Sequence, residues 1–122
     1  MKVKKVKKLI IKHFKWWVHY LGLKYWSVGC CFEDDEIITD SGDPLAGETS
    51  VEWKYLRAFI TFYPKTMRHL SESDIERVVI HELMHVFLNE MREDGIDHEE
   101  RVATMLQKAF SWVKYSDREK NA

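Results

Sequence analysis

Near the start of the chain, apolar residues recur every three or four positions, at Val3, Val6, Ile10, Phe14, Trp17 and Leu21, and lysines fill much of the space between them. That spacing predicts an amphipathic helix, and Gly22 stands where a glycine would end it. The period then changes. Residues 23–32 carry Tyr25, Trp26, Val28, Cys30 and Phe32, bulky side chains that favour a strand. Residues 33–48 open acidic and continue with Ser41-Gly42-Asp43-Pro44 and Gly47, a loop signal with room for a brief strand at Ile37-Ile38. A further strand is expected over 49–55. A better one covers 56–63, where Ala58, Ile60 and Phe62 alternate with Arg57, Phe59 and Thr61 until Pro64 closes the run.

The second half returns to helical spacing. Ser73 and Glu76 have the S-x-x-E form of a capping box, and Asp74 adds negative charge in the first turn, so a helix is expected from there to about Met91. A polar connection with Gly95 follows. A last helix begins near Asp97 or His98 and keeps Val102, Met105, Leu106, Ala109, Phe110 and Val113 on one side. The order is N-terminal helix, small mixed or antiparallel sheet, helix, C-terminal helix. It predicts an α+β fold, with residues 1–122 forming one domain.

Composition narrows the function classes. The chain has 122 residues and a formal net charge of −1, which gives no global case for nucleic acid or membrane. Lys12, His13 and Lys15 interrupt every apolar run near the start, so neither a secretory signal nor a membrane span is expected, and the cytoplasm is the expected location. Cys30 and Cys31 are adjacent, on opposite faces of a strand, and are read as free thiols in a reducing compartment. Lys4, Lys5, Lys8 and Lys12 leave nucleic acid as a secondary candidate partner.

The chemistry concentrates in His81-Glu82-Leu83-Met84-His85, of the form H-E-x-x-H. Residues four apart share a helix face, so His81 and His85 can address one metal ion, with Glu82 beside them as a proton acceptor. Val78, Val79, Ile80, Leu83, Met84, Val86, Phe87 and Leu88 surround these polar groups, and ionisable side chains in so apolar a helix need a partner. Catalytic zinc takes three protein ligands and keeps a place for water. A metzincin extension is excluded, because Leu88 and Met91 occupy its glycine and histidine positions. The cluster Asp97-His98-Glu99-Glu100 is then the supplier of the third ligand. Helical phase counted back from Val102, Leu106, Ala109 and Val113 favours Glu99, then His98, then Glu100. Asp97 reads as the N-cap.

The N-terminal helix, small sheet, IHELMHVFL and downstream HEERVATML together resemble the small single-domain zincin-type metallopeptidases of bacteria and phages, in outline similar to SprT-like and ImmA/IrrE-type gluzincin domains. The resemblance implies a zincin-like minimal metallopeptidase fold. In the gluzincin pattern the third ligand is a Glu on the following helix, matching Glu99 or Glu100; in the SprT-like pattern it is a His, matching His98. It also implies that an extended peptide or protein substrate pairs with a strand before the active helix, which makes 56–63 the expected platform. The expected activity is zinc-dependent peptide hydrolysis, with zinc on His81, His85 and Glu99 and a zinc-bound water activated by Glu82. His69, Tyr63 and Tyr115 are chemically able to stabilise the oxyanion. The alternative is a non-catalytic zinc-binding module of the same fold, acting through protein or nucleic-acid interaction, with His98 and Glu99 both closing the metal.

Overall fold

The computed structural model describes residues 1–120, without the side chains of residue 90 and residues 117–120. Helix α1 spans Val3–Tyr20 and buries Val6, Ile10, Phe14 and Trp17, leaving Lys4, Lys5, Lys8 and Lys12 on its exposed face. The chain leaves it at Leu21, and Gly22 supplies the left-handed residue beyond (φ 72°) that a side chain would resist. Residues Leu23–Tyr25 form a turn of 3-10 helix instead of opening the strand expected over 23–32, so β1 covers only Ser27–Phe32. Strand β2 is Gly47–Glu52 and β3 is Arg57–Phe62, and a second 3-10 turn, Trp53–Tyr55, joins them. In the loop before β2, the expected Ile37-Ile38 strand is reduced to an isolated bridge between Ile38 and Pro44.

The sheet is mixed, in the order β1-β3-β2. β3 runs parallel to β1 (Ser27 beside Arg57, Phe32 beside Phe62) and antiparallel to β2 (Gly47 beside Phe62, Glu52 beside Arg57). Its alternation buries Ala58, Ile60 and Phe62 on the helix side. With a partner on each edge, β3 offers no free main-chain groups, and this corrects the expectation that 56–63 receives substrate. The free edge nearer the following helices belongs to β2. Ala46 accepts from the Tyr63 N–H across the ladder, so by alternation the main-chain groups of Gly47, Thr49 and Val51 face outward.

A short helix α2 (Pro64–Met67) leads to α3, Glu72–Phe87. The N-cap of α3 is Ser71, whose hydroxyl accepts from the Asp74 N–H at 3.2 Å, not Ser73. Glu76 cannot complete a capping box because tertiary partners claim it. It lies 2% exposed, takes the Trp17 indole N–H at 2.8 Å, and meets Lys114 Nζ at 2.5 Å and the Tyr115 hydroxyl. Helix α3 stops at Phe87 and not Met91; α4 (Asn89–Glu93) follows, and α5 covers Glu99–Lys120. α3 is thus the central element, packed on α1, α5 and β2, with Ile75, Val79, Ile80 and Leu83 wholly buried. Among the described residues this makes five helices and three strands, an α+β fold. No described helix is long and apolar enough to cross a membrane.

Candidate metal centre

Two turns before its end, α3 turns His81 and His85 to one side. Their Nε2 atoms lie 3.3 Å apart, as the one-face spacing requires. From the first turn of α5, Glu100 reaches both: Oε2 stands 3.0 Å from His81 Nε2 and Oε1 stands 2.7 Å from His85 Nε2. These three side chains offer ligand atoms within 4.8 Å of one another. The imidazoles are sheltered, at 18% and 5% exposed, whereas the Glu100 side chain is 76% exposed at the open side of the cluster.

Glu99, the residue that helical phase favours, is placed differently. Its carboxylate meets His85 on the other ring nitrogen, Nδ1, and is held there by Arg92, with Nη2 at 2.8 Å from Oε2 and Nε at 3.2 Å from Oε1. A two-point guanidinium contact of this kind fixes a carboxylate firmly. Arg92 also donates to the Thr49 carbonyl at 3.4 Å, tying α4 to the outer edge of β2. His98 is exposed just before α5, in the left-handed region (φ 79°), and is not brought to the cluster. The only sequence signal for Arg92 was a base five residues before the Asp97-to-Glu100 acidic run.

The arrangement has a chemical consequence. If His85 donates its Nδ1 proton to Glu99, its Nε2 carries a lone pair aimed at a second imidazole and at a carboxylate. Lone pairs and a negative charge converging on one point repel unless a shared proton or a cation sits among them. Two imidazole nitrogens and a carboxylate oxygen, one imidazole backed by a carboxylate, form a donor set suited to a divalent ion, and the residues present fit one.

Glu82 lies on the β2 side of the pair and is 7% exposed. The Thr49 hydroxyl donates to its carboxylate at 2.8 Å and approaches its main-chain carbonyl at 3.0 Å. Burial pushes the Glu82 carboxyl up; Thr49 and His81 oppose this, and the negative charges of Glu100 and Glu48 add to it. Gly47 leaves room here, because a Cβ at that position would stand 3.1 Å from Glu82 Cγ and 3.4 Å from the Phe62 ring, close enough that the carboxylate side chain would have to give by a few tenths of an ångström. A small hollow of about 240 Å³ opens over His81 and Glu82, between Gly47 and Gln107. None of the three expected oxyanion donors lines it. Tyr63 donates to Glu48 at 2.8 Å, and burial with that bond pushes its hydroxyl up to about 12; Tyr115 is turned to Glu76, and His69 to Arg68.

An α+β domain that gathers these groups from its central helix and the start of α5 is a small metallopeptidase-like domain. Over residues 4–113 the chain matches the family described as "Putative phage metallopeptidase", and it belongs to that family. Membership implies a metal cofactor. No curated protein and no solved structure matches the chain.

Proposed function

We propose that the protein is a zinc-dependent peptidase in which His81, His85 and Glu100 hold the ion and Glu82 is the general base. The observation that carries the reading is the convergence of three donor side chains on one point while Glu99 and Arg92 secure the outer nitrogen of His85. The nitrogen-rich set with a single carboxylate favours zinc over the oxygen-seeking cations. When bound, zinc supplies a Lewis acid that polarises the scissile carbonyl and makes water nucleophilic near neutral pH. Glu82 takes the proton of the attacking water and passes it to the leaving amine, with Thr49 holding its carboxylate in position. The Glu99–Arg92 pair keeps His85 in the tautomer whose lone pair faces inward. An extended polypeptide is the substrate class, because the outward main-chain groups of Gly47 and Val51 and the Thr49 N–H can accept it as an added strand, the Thr49 carbonyl being held by Arg92.

The non-catalytic alternative requires a fourth protein ligand. Among the described residues, His98 and Glu99 do not supply it, which favours the enzyme. The test is zinc stoichiometry together with cleavage of denatured casein. We expect a single equivalent of zinc, and Glu82→Gln should keep that zinc while losing about a hundredfold or more in turnover. Undiminished turnover in the variant would sink the mechanism.

A further inference from the structure

Beside the hollow over Glu82 runs a larger one, between the first half of α3 and the later turns of α5. It is a groove of about 910 Å³, and it shares Arg77 and Gln107 with the smaller hollow, so the two meet at that pair. Its charged groups are mostly matched already. Glu76 takes Trp17, Lys114 and Tyr115; Arg77 donates to Asp74 at 2.9 Å; Glu72 takes Lys12 at 3.1 Å.

Two neutral groups are not matched. Gln107 is 6% exposed, and its Nε2 is buried with no hydrogen-bond partner among the described residues; the Ser111 Oγ is likewise buried and unpartnered among them. Native proteins seldom leave buried polar atoms unpaired, so each such atom calls for a reason. These two stand four residues apart on α5, one turn along the same face, which sets their Cβ atoms about 6 Å apart. Alternate residues of an extended chain repeat at roughly 6.6 Å. Both residues line the groove, and turning the Gln107 carboxamide about χ3 and the Ser111 side chain about χ1 would swing each donor from its sealed position toward it. What they then lack is a pair of acceptors at the repeat of an extended main chain.

We infer that the α3/α5 groove seats one side of the substrate polypeptide, with Gln107 Nε2 and Ser111 Oγ donating to alternate main-chain carbonyls. The inference rests on the peptidase reading. It sets the course of the chain: the carbonyl on Gln107 lies next to the scissile bond, beside His81 and Glu82, and the carbonyl on Ser111 lies two residues further out. Since main-chain carbonyls are common to every peptide, the groove adds affinity with little side-chain selectivity.

The experiment has two arms, both using denatured casein. In the first, cleavage kinetics on the zinc-loaded protein should show KM raised about tenfold by Gln107→Leu and somewhat less by Ser111→Ala, the loss of one hydrogen bond each. Gln107→Leu should melt no lower than the parent, because it replaces an unpaired buried amide by an apolar group of similar size; a purely structural glutamine would lower the melting temperature and leave KM alone. In the second arm, casein is added to isotope-labelled, zinc-loaded Glu82→Gln protein. The Gln107 side-chain amide and Ser111 resonances should shift. Unchanged KM in both variants, or shifts confined to Gly47–Glu52, would overturn the groove. Shifts on α5 without any cleavage by the parent protein would instead overturn the peptidase reading and leave the groove standing.

Discussion

The α3–α5 helix pair carries a carboxylate cluster toward each end, and the two are built on opposite lines. Toward the start of α3, Glu76 is closed in by the Trp17 N–H, the Lys114 ammonium and the Tyr115 hydroxyl, with His13 Nδ1 at 3.4 Å. Burial alone would push its carboxyl up, but hydrogen bonds from His13, Lys114, Tyr115 and Trp17 outweigh that and hold it well below the usual carboxylate range. Toward the other end, two imidazoles and Glu100 face one another, and the nearby permanent cation, Arg92, is turned to Glu99. The first cluster carries its own counter-charge. The second has donors without one. Glu76, His81 and His85 are all sheltered ionisable groups on α3, so burial alone does not single out a candidate metal site; the two sets differ in that one closes on itself and the other does not.

That contrast can be broken in several ways. The largest effect belongs to the open cluster. Glu100→Ala should weaken zinc binding, measured by competition with a chromophoric chelator, by more than the roughly 10–100-fold expected when an outer partner is removed in Glu99→Gln. The reverse order would return the ligand role to Glu99. At the closed cluster, Glu76→Gln leaves Lys114 sheltered beside a neutral group and should cost about 3–5 kcal/mol in urea unfolding, with zinc affinity unchanged. Loss of zinc in that variant would mean the two ends are coupled.

The same cluster sets an acid limb. A carboxyl held below its ordinary value contributes stability that is full above that value, 4.5 for Glu, and is lost as pH falls beneath it. Urea unfolding between about pH 6 and about pH 3 should therefore show a decline that Glu76→Gln flattens. The smallest expected effect is at Gly47→Ala, whose methyl would press on Glu82 Cγ from 3.1 Å. It should cost about tenfold in turnover through misplacement of the carboxylate, with zinc retained. Unaltered turnover would show that Glu82 has room to yield.

Much of the fold was legible from spacing. The first helix, the alternation of Ala58, Ile60 and Phe62, and the apolar surroundings of His81 and His85 all stand where period and bulk suggest. What was not legible depends on partners distant in the chain. Glu76 sits at capping-box spacing from Ser73, yet Lys114 and Tyr115 claim it from 38 and 39 residues away. The central place of β3 follows from its parallel pairing with β1, and strand alternation carries no information about sheet order. Helical phase points to Glu99 as the residue facing furthest inward, and the structure does shelter it, 13% exposed against His85 Nδ1; the carboxylate that reaches both imidazoles is that of Glu100, 76% exposed, a placement that phase alone does not carry.

The short reversal through α4 has a consequence for how the molecule assembles. His81, His85, Glu99 and Glu100 all come from one helical hairpin, and their contacts span at most 19 residues. The parallel pairing of β1 with β3 instead joins Ser27–Phe32 to Arg57–Phe62, across the whole loop and β2. Closing the hairpin costs less chain entropy than closing the sheet, so local contacts of this kind form faster. The donor cluster is therefore placed to gather early, with the sheet that supplies Thr49 and Gly47 to Glu82 arriving after it. On the proposed reading, the groups that would hold the ion and the groups that position Glu82 belong to contacts of very different reach along the chain.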